Sequence, residues 1–330
     1  MTDQYQQIID TLSSCRRVLV TTHIRPDGDA LGCSAAMALA MRAKGIDAHV
    51  MLLSHLPTKY AFIFRDNNIA FTNFEKDGLA AFDLSGFDAL LVVDTGTWSQ
   101  LPGLEEKFAA WTKPILVVDH HLTQEAWGGT RLVVAEAAAA GEIVADIIRR
   151  WAIPLDKAIA TCLYAAIVTD TGWFQFSNTR PFTHRLCATL MEAGVDTDAM
   201  YQAIYQNERA ERVALQTRAM QSMKLLAGGK LAVMSISKKD FAETGASVAE
   251  TENMVNIPLQ IGDVQVSVLA TEPRDFGPVR VSLRSKGQVD VAKFAELFGG
   301  GGHARASGLK VEAPLDEVCK RVIDAMLPRL

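Results

Sequence analysis

Pro114-Ile-Leu-Val-Val-Asp119-His120-His121 is an apolar run that ends in one acid and two imidazoles. A short run of branched apolar residues predicts a buried strand. Two other apolar runs end in the same way: Val18-Leu-Val-Thr-Thr leads into His23, and Ala89-Leu-Leu-Val-Val leads into Asp94. Carboxylates and imidazoles therefore lie at the ends of several predicted strands, and this arrangement predicts a catalytic metal centre.

Length and composition favour an ordinary two-domain globular protein. The chain has 330 residues, 49% of them hydrophobic and 22% charged, so each domain can build its own core. No apolar run is long enough to span a membrane, and the polar start, residues 1–7, does not resemble a secretory signal. Five scattered cysteines without a Cys-x-x-Cys pair fit a reducing compartment. We therefore expect a cytoplasmic protein with no membrane partner.

The charge is distributed unevenly. Residues 274–310 carry seven Lys/Arg against three Asp/Glu, or +4, which leaves −9 for the rest of a chain with net charge −5. A protein that grips long nucleic acid usually has a basic surface. The pattern therefore favours a small anionic substrate and argues against a long nucleic acid.

The first half alternates short strand-like runs with helical patterns. This alternation predicts an α/β domain with a doubly wound parallel sheet, in which ligands bind beyond the carboxyl ends of the strands. The predicted strands are 18–22, 49–53, 89–94, 115–119 and 132–134, and the predicted helices are 30–44, 105–111 and 141–151.

The second half predicts a change of architecture. Residues 156–226 are mostly helical in pattern, with breaks at 171–181 and near Asp196, and Ala227-Gly-Gly follows. Later runs predict a smaller α+β domain, with strands at 230–236, 264–271, 279–283 and 309–311 and helices at 291–298 and 315–326. The predicted domains are a two-metal domain over 1–190, a helical linker over 191–227 and a substrate-binding domain over 228–330.

The segment His23-Ile-Arg-Pro-Asp27-Gly28-Asp29 concentrates metal-binding groups in one turn. The two carboxylates are two residues apart, so each can face a different cation, and Gly28 would permit a backbone conformation that other residues resist. With Asp94, Asp170 and the histidine pair they form an oxygen-rich set, which favours Mn²⁺, Mg²⁺ or Fe²⁺ over structural zinc. The surplus of acids predicts two ions with one bridging carboxylate.

A glycine-rich segment in the second half indicates an anion site. Gly299-Gly-Gly-Gly-His303 follows a helical pattern, and Arg305 comes shortly after. Glycines let backbone N–H groups approach an anion closely, so we expect a phosphate-binding loop. The alternative is a flexible linker.

These motifs resemble the DHH phosphoesterase family, RecJ-like proteins named for Asp-His-His, in the branch with a DHH-associated domain that carries Gly-Gly-Gly-His. The resemblance spans nearly the whole chain in the family's order. The matching segments are Thr22–Gly32, Val92–Gly96, Val117–His121, Ile167–Gly172 and Phe298–Gly308.

The resemblance implies a role for each motif residue. One ion would be held by His23, Asp27 and Asp94, and the other by Asp29, Asp94, His120 and Asp170. Asp94 would bridge the ions, His121 would contact the substrate phosphate, and Asp119 would orient the histidine pair. The implied substrate-binding residues are Arg284, Gly300, Gly301, Gly302, His303 and Arg305.

The resemblance also implies an activity. We expect an Mn²⁺-dependent phosphoesterase that hydrolyses short oligoribonucleotides, such as nanoRNA and dinucleotides, from an end, and also 3′-phosphoadenosine 5′-phosphate. Cyclic-dinucleotide hydrolysis and a non-catalytic nucleotide sensor are the alternatives. A processive single-strand exonuclease is disfavoured, because this chain lacks the length and basic surface for extra nucleic-acid-binding domains. A homodimer is compatible with the pattern.

Overall fold

A computed structural model describes residues 3–74, 78–125, 129–273 and 277–330. It divides into two compact units, Met1–Asn207 and Glu208–Leu330. The predicted linker, residues 191–227, is shared between these units, and the predicted domain limits stay predictions.

The first unit contains a parallel sheet. Its described strands run in the order β3-β2-β1-β4-β5-β6, and every neighbouring pair is parallel. This confirms the predicted doubly wound sheet. The strands are β1 (Arg17–Thr21), β2 (Asp47–Leu52), β3 (Phe71–Asn73), β4 (Ala89–Val93), β5 (Ile115–Asp119) and β6 (Thr130–Val133). Sequence reasoning missed β3, a three-residue strand at the edge of the sheet.

Helices cover both faces of this sheet. Successive strand residues alternate between two cores: Val18 and Val20 of β1 pack into one core, and Leu19 packs into the other. The helices are α1 (Gln4–Ser13), α2 (Gly28–Ala43), α3 (Ala61–Arg65), α4 (Leu104–Phe108), α5 (Ala140–Arg150), α6 (Lys157–Asp170), α7 (Pro181–Glu192) and α8 (Thr197–Tyr205).

The strand order reverses between β1 and β4, which lie side by side in the sheet. Connections leave such a pair toward opposite sides, so a crevice opens beyond the carboxyl ends of the two strands. The loops after β1, β4 and β5 meet at this edge. The fold thus brings together motifs that lie about a hundred residues apart in the sequence.

The second unit is the predicted α+β domain. Its described strands run in the order β11-β12-β10-β9-β8-β7 and pair antiparallel, except that β8 and β9 are parallel. The elements are α9 (Ala210–Gln221), β7 (Lys224–Leu226), β8 (Leu231–Ile236), α10 (Lys238–Thr244), β9 (Val266–Thr271), β10 (Val279–Ser285), α11 (Val291–Glu296), β11 (Gly301–His303), β12 (Ala306–Val311) and α12 (Leu315–Met326). The helical prediction for residues 224–226 was wrong, because β7 pairs with β8 there.

In the described ranges, no helix combines the length and the apolar character needed to cross a bilayer.

Candidate metal centre

Asp94 lies at the centre of the site. It directly follows β4, is 3% exposed, and has a left-handed backbone with φ of 60°. Its Oδ2 lies 3.5 Å from Nε2 of His23, and its Oδ1 lies 3.5 Å from Nε2 of His120. Left-handed backbone is uncommon outside glycine and concentrates at functional sites. The Asp94 carboxylate is therefore shared between two groups of potential ligands.

The first group contains His23, Asp27 and Asp94, whose ligand atoms all lie within 4.8 Å of one another. His23 Nε2 is 3.9 Å from Oδ1 of Asp27, and His23 Nδ1 lies 3.0 Å from the carbonyl of Ile24. A hydrogen bond from Nδ1 to that carbonyl directs the lone pair of the neutral ring on Nε2 toward the acids. Asp27 also caps α2 by accepting a hydrogen bond from the amide of Ala30.

The second group contains Asp29, His120 and Asp170, again with ligand atoms within 4.8 Å. His120 Nε2 lies 3.9 Å from Oδ2 of Asp29 and 3.7 Å from Oδ2 of Asp170, the last residue of α6. The other ring nitrogen, Nδ1, lies 3.2 Å from the carbonyl of Ala137. His23 and His120 therefore both have Nδ1 against a backbone carbonyl and Nε2 against carboxylates.

Asp29 is held by groups that sequence reasoning did not identify. Its side chain is fully buried and accepts hydrogen bonds from the amides of Ala140 (2.7 Å) and Gly141 (3.0 Å), at the start of α5. The thiol of Cys33 also donates to it, at 3.2 Å. Amides at a helix N-terminus stabilise a carboxylate. No local sequence pattern links Asp29 to residues more than a hundred positions away.

Gly28 has a different role from the one predicted. It is the first residue of α2, and a Cβ there would lie 2.4 Å from Oγ1 of Thr169 on α6. The prediction that an unusual backbone conformation requires this glycine was wrong, since its φ is not in the left-handed region. Close packing of α2 against α6 requires it, and this packing places Asp29 beside Asp170.

Asp119 holds His120 and His121 in place through hydrogen bonds. This buried carboxylate accepts hydrogen bonds through Oδ1 from the amides of His120 (2.8 Å) and His121 (3.2 Å). The same oxygen lies 2.8 Å from Nδ1 of His121, and the Gln124 amide donates to Oδ2. All these contacts fix the orientation of the segment. Gln124, five residues after Asp119, was also missed by sequence reasoning.

His121 differs from His120 in exposure. Its side chain is 54% exposed, and its Nδ1 lies 3.8 Å from Oδ1 of Asp94. The hydrogen bond to Asp119 is the main reason that the pKa of His121 is raised. A partly exposed imidazole beside the acidic cluster is placed to meet an anion.

Carboxylates and imidazoles shift one another's pKa values in this centre. Burial lowers the pKa of His23 and His120, but neighbouring carboxylates outweigh it and raise these pKa values to about 9 and about 10. Burial raises the pKa of Asp170 to about 6. Burial also raises the pKa of Asp94, but hydrogen bonds and charge from His120 and His23 outweigh burial and lower this pKa to about 2. The buried carboxylates therefore favour positive charge within this cluster.

The residues fit divalent metal ions. Among the described residues, the buried Oδ1 of Asp94 makes no hydrogen bond, although a buried carboxylate oxygen normally has a partner. Carboxylate oxygens dominate the donor set, with imidazole nitrogens beside them, as Mn²⁺, Mg²⁺ and Fe²⁺ prefer. The cluster therefore forms a candidate divalent-metal site.

The second unit brings its predicted residues to one corner of its sheet. Arg284 on β10 pairs in register with Ala306 on β12, and Arg305 lies in the turn between β11 and β12. Arg284 is half-buried, which lowers the pKa of its guanidinium. The backbone of His303 ends β11, whereas its side chain is outside the described atoms.

The glycine-rich segment is more regular than a loop. Gly301–His303 form strand β11, and the amides of Gly299 and Gly300 donate to the carbonyls of Glu296 and Ala295. The amides of Gly299 and Gly300 are therefore already hydrogen-bonded within the chain. A Cβ on Gly300 would lie 2.3 Å from the carbonyl oxygen of Gly308. Close packing against β12 thus explains part of the glycine content.

Comparison with known proteins agrees with the fold and the motifs. The model of the DHH family N-terminal domain matches residues 17–167, and that of the DHHA1 domain matches residues 228–327. Two curated relatives are named bifunctional oligoribonuclease and PAP phosphatase NrnA. The one from Thermus thermophilus is 28% identical over 95% of this chain and 90% of its own length. The one from Bacillus subtilis is 23% identical over 95% of this chain and 98% of its own length.

A solved structure shows the same fold. The exopolyphosphatase-related protein from Bacteroides fragilis has a TM-score of 0.90 at 23% identity, covering 99% of this chain and 96% of that one. Fold, site and relatives together define a hydrolase with an acidic, histidine-containing centre. The chain thus carries a DHH-family N-terminal domain followed by a DHHA1 domain.

Proposed function

We propose that the protein is an Mn²⁺-dependent phosphoesterase that hydrolyses short oligoribonucleotides from an end, and also 3′-phosphoadenosine 5′-phosphate. The main support for this proposal is the Asp94 carboxylate, which has one oxygen 3.5 Å from Nε2 of His23 and the other 3.5 Å from Nε2 of His120. One ligand set would be His23, Asp27 and Asp94, and the other Asp29, Asp94, His120 and Asp170. The relatives' names support the substrate class.

Two bound divalent ions would polarise the phosphoryl oxygens and make a water molecule nucleophilic near neutral pH. The protein's own contribution begins with Asp119, which fixes the backbone and ring of His121. The partly exposed His121 side chain would stabilise negative charge on the phosphate and on the departing ribose oxygen. Asp29, held by the α5 amides, keeps its carboxylate aimed at the centre.

The second unit supplies a phosphate-binding element in this proposal. Arg284 and Arg305 offer guanidinium groups, which pair well with phosphate, and Gly300 to His303 line the same corner. A dinucleotide or a nucleoside bisphosphate, the kind of substrate that the relatives' names indicate, would offer a phosphate to this element. We also propose a cytoplasmic location, where such nucleotides occur.

Replacement of Asp119 by asparagine tests the orienting role. The variant loses the charge that holds His121, so we expect kcat/KM to fall about 10- to 100-fold, as for other groups that orient a metal site. Steady-state hydrolysis of a dinucleotide in Mn²⁺ measures it. Asp47→Asn is the matched control, because Asp47 makes an exposed ion pair with Arg17 and such pairs contribute little. Equal kcat/KM values for the two variants would show that Asp119 does not contribute to catalysis.

One substrate series tests the proposed function. Initial rates in Mn²⁺ are compared for a diribonucleotide, 3′-phosphoadenosine 5′-phosphate, a cyclic dinucleotide and a long single strand. We expect the first two to be the best substrates. A preference for the cyclic dinucleotide would replace the proposal by the alternative phosphodiesterase. A preference for the long strand would overturn the short-substrate argument, and nucleotide binding without turnover would identify a sensor.

A further inference from the structure

A group of aromatic rings, two exposed and one half-buried, lies outside the centre described above. Trp173 contacts Tyr201 and Tyr205 edge-on, with ring centroids 5.0 and 5.6 Å apart, and the two tyrosines are 5.2 Å from each other. Tyr201 and Tyr205 are 40% and 42% exposed. We call these three residues the aromatic patch. Single exposed aromatic residues are ordinary, but a contiguous group on a surface usually has a function.

The patch lies close to the acidic centre. Trp173 follows Asp170 by three residues, so their Cα atoms are at most about 11 Å apart. The tyrosines belong to α8, which packs against the helical turn Thr58–Tyr60 that follows the carboxyl end of β2. Both attachments place the patch at the edge of the sheet where the metal-binding residues meet.

The loop that carries Trp173 has an unusual backbone. Gly172, Trp173 and Phe174 have φ of 55°, 58° and 68°, three successive residues in the left-handed region. For two bulky aromatic residues this conformation is costly and persists only when the surroundings impose it. Phe176, from the same loop, is 57% exposed, and its ring lies so close to Gly172 that a Cβ there would be 2.5 Å from it. The loop thus holds aromatic rings at the surface beside Asp170.

We propose that the aromatic patch, with Phe176, binds the nucleobase of the substrate by stacking; this rests on the proposed function. Every base has a π-face, and stacking on aromatic side chains supports binding without reading sequence. The phosphate would meet the centre while its base lies on the patch. Purines, with the larger face, are expected to bind better than pyrimidines. The patch would then explain how an acidic centre distinguishes a nucleotide from other small phosphate esters.

Equilibrium binding tests the proposal without requiring turnover. Affinities for AMP and for ribose 5-phosphate are measured in Mn²⁺ by calorimetry, for the full chain and for Tyr201→Ala, Tyr205→Ala and Phe176→Ala. The whole protein should bind AMP at least about five-fold more tightly than ribose 5-phosphate, the lower range for stacking of one base. The alanine variants should lose this preference and keep their affinity for ribose 5-phosphate.

Conservative variants and an aromatic residue outside the patch provide the controls. Tyr201→Phe and Tyr205→Phe keep the ring and should keep the preference, which separates stacking from loss of folding. Phe71→Leu, on the edge strand β3 and 38% exposed, should leave it unchanged. Equal affinity of the wild type for both ligands, or a preference that survives in every alanine variant, would overturn the proposal. Absence of hydrolysis with the base preference intact would overturn only the proposed function.

Discussion

Asp94→Asn is expected to lower kcat/KM for a dinucleotide by more than about 100-fold in saturating Mn²⁺. Groups that only orient a metal ligand cost about 10- to 100-fold when removed, and Asp94 contacts both ligand groups directly. Asparagine keeps the shape but removes the charge that faces His23 and His120. The fold should survive, because β4 and its neighbours do not depend on this charge. Steady-state kinetics measures the loss of activity, and far-UV circular dichroism checks that the fold is preserved.

The other end of the same strand offers the matched control. Asp88 directly precedes β4, as Asp94 directly follows it, and its carboxylate accepts hydrogen bonds from the amides of Arg16 and Arg17. Asp88→Asn changes the same chemical group far from the centre, so activity should stay within about two-fold, as surface changes have small effects. Full activity in Asp94→Asn would contradict the bridging role.

Removal of divalent metal is expected to abolish activity and to lower the melting temperature. Burial, followed by the neighbouring carboxylates of Asp94 and Asp170, raises the pKa of Asp29 well above its ordinary value, so a bound cation is expected to stabilise this cluster. An ion present at a hundred times its Kd stabilises the folded state by about 2.7 kcal/mol, or about 5–10 °C for a unit of this size. Differential scanning fluorimetry with EDTA, followed by Mn²⁺, measures the change.

Readdition of Mn²⁺ should restore both the melting temperature and the activity. Asp94→Asn should show a smaller thermal shift than wild type under the same conditions, whereas Asp88→Asn should behave like wild type. A melting temperature that is the same in EDTA and in Mn²⁺ would show that no metal binds the folded chain tightly.

Sequence periodicity predicts most of the fold because buried strands and amphipathic helices carry local patterns. The limits of β5 and α12 agree with the prediction to the residue. Short elements such as β3 are missed, since three residues give no usable period. The strand at Gly301–His303 was also missed, because glycine favours turns and its strand conformation here comes from pairing with β12.

The candidate site was predictable where ligands end apolar strands, as His23, Asp94 and His120 do. Its supporting contacts were not, because they join distant positions through packing. Cys33 and the α5 amides reach Asp29 only in the folded chain. The left-handed backbone of Asp94 is likewise imposed by its surroundings and has no local cue. The aromatic patch depends on α8 folding back toward the loop after Asp170.

The number of Mn²⁺ ions bound per chain tests the central claim most directly. Metal-free protein is titrated with Mn²⁺, and free Mn²⁺ is counted from its electron paramagnetic resonance signal. Because Asp94 is shared between two ligand groups, we predict two ions per wild-type chain and fewer than two in Asp94→Asn. A single ion in the wild type, or two ions held equally well after loss of the Asp94 charge, would contradict a two-ion centre bridged by this residue.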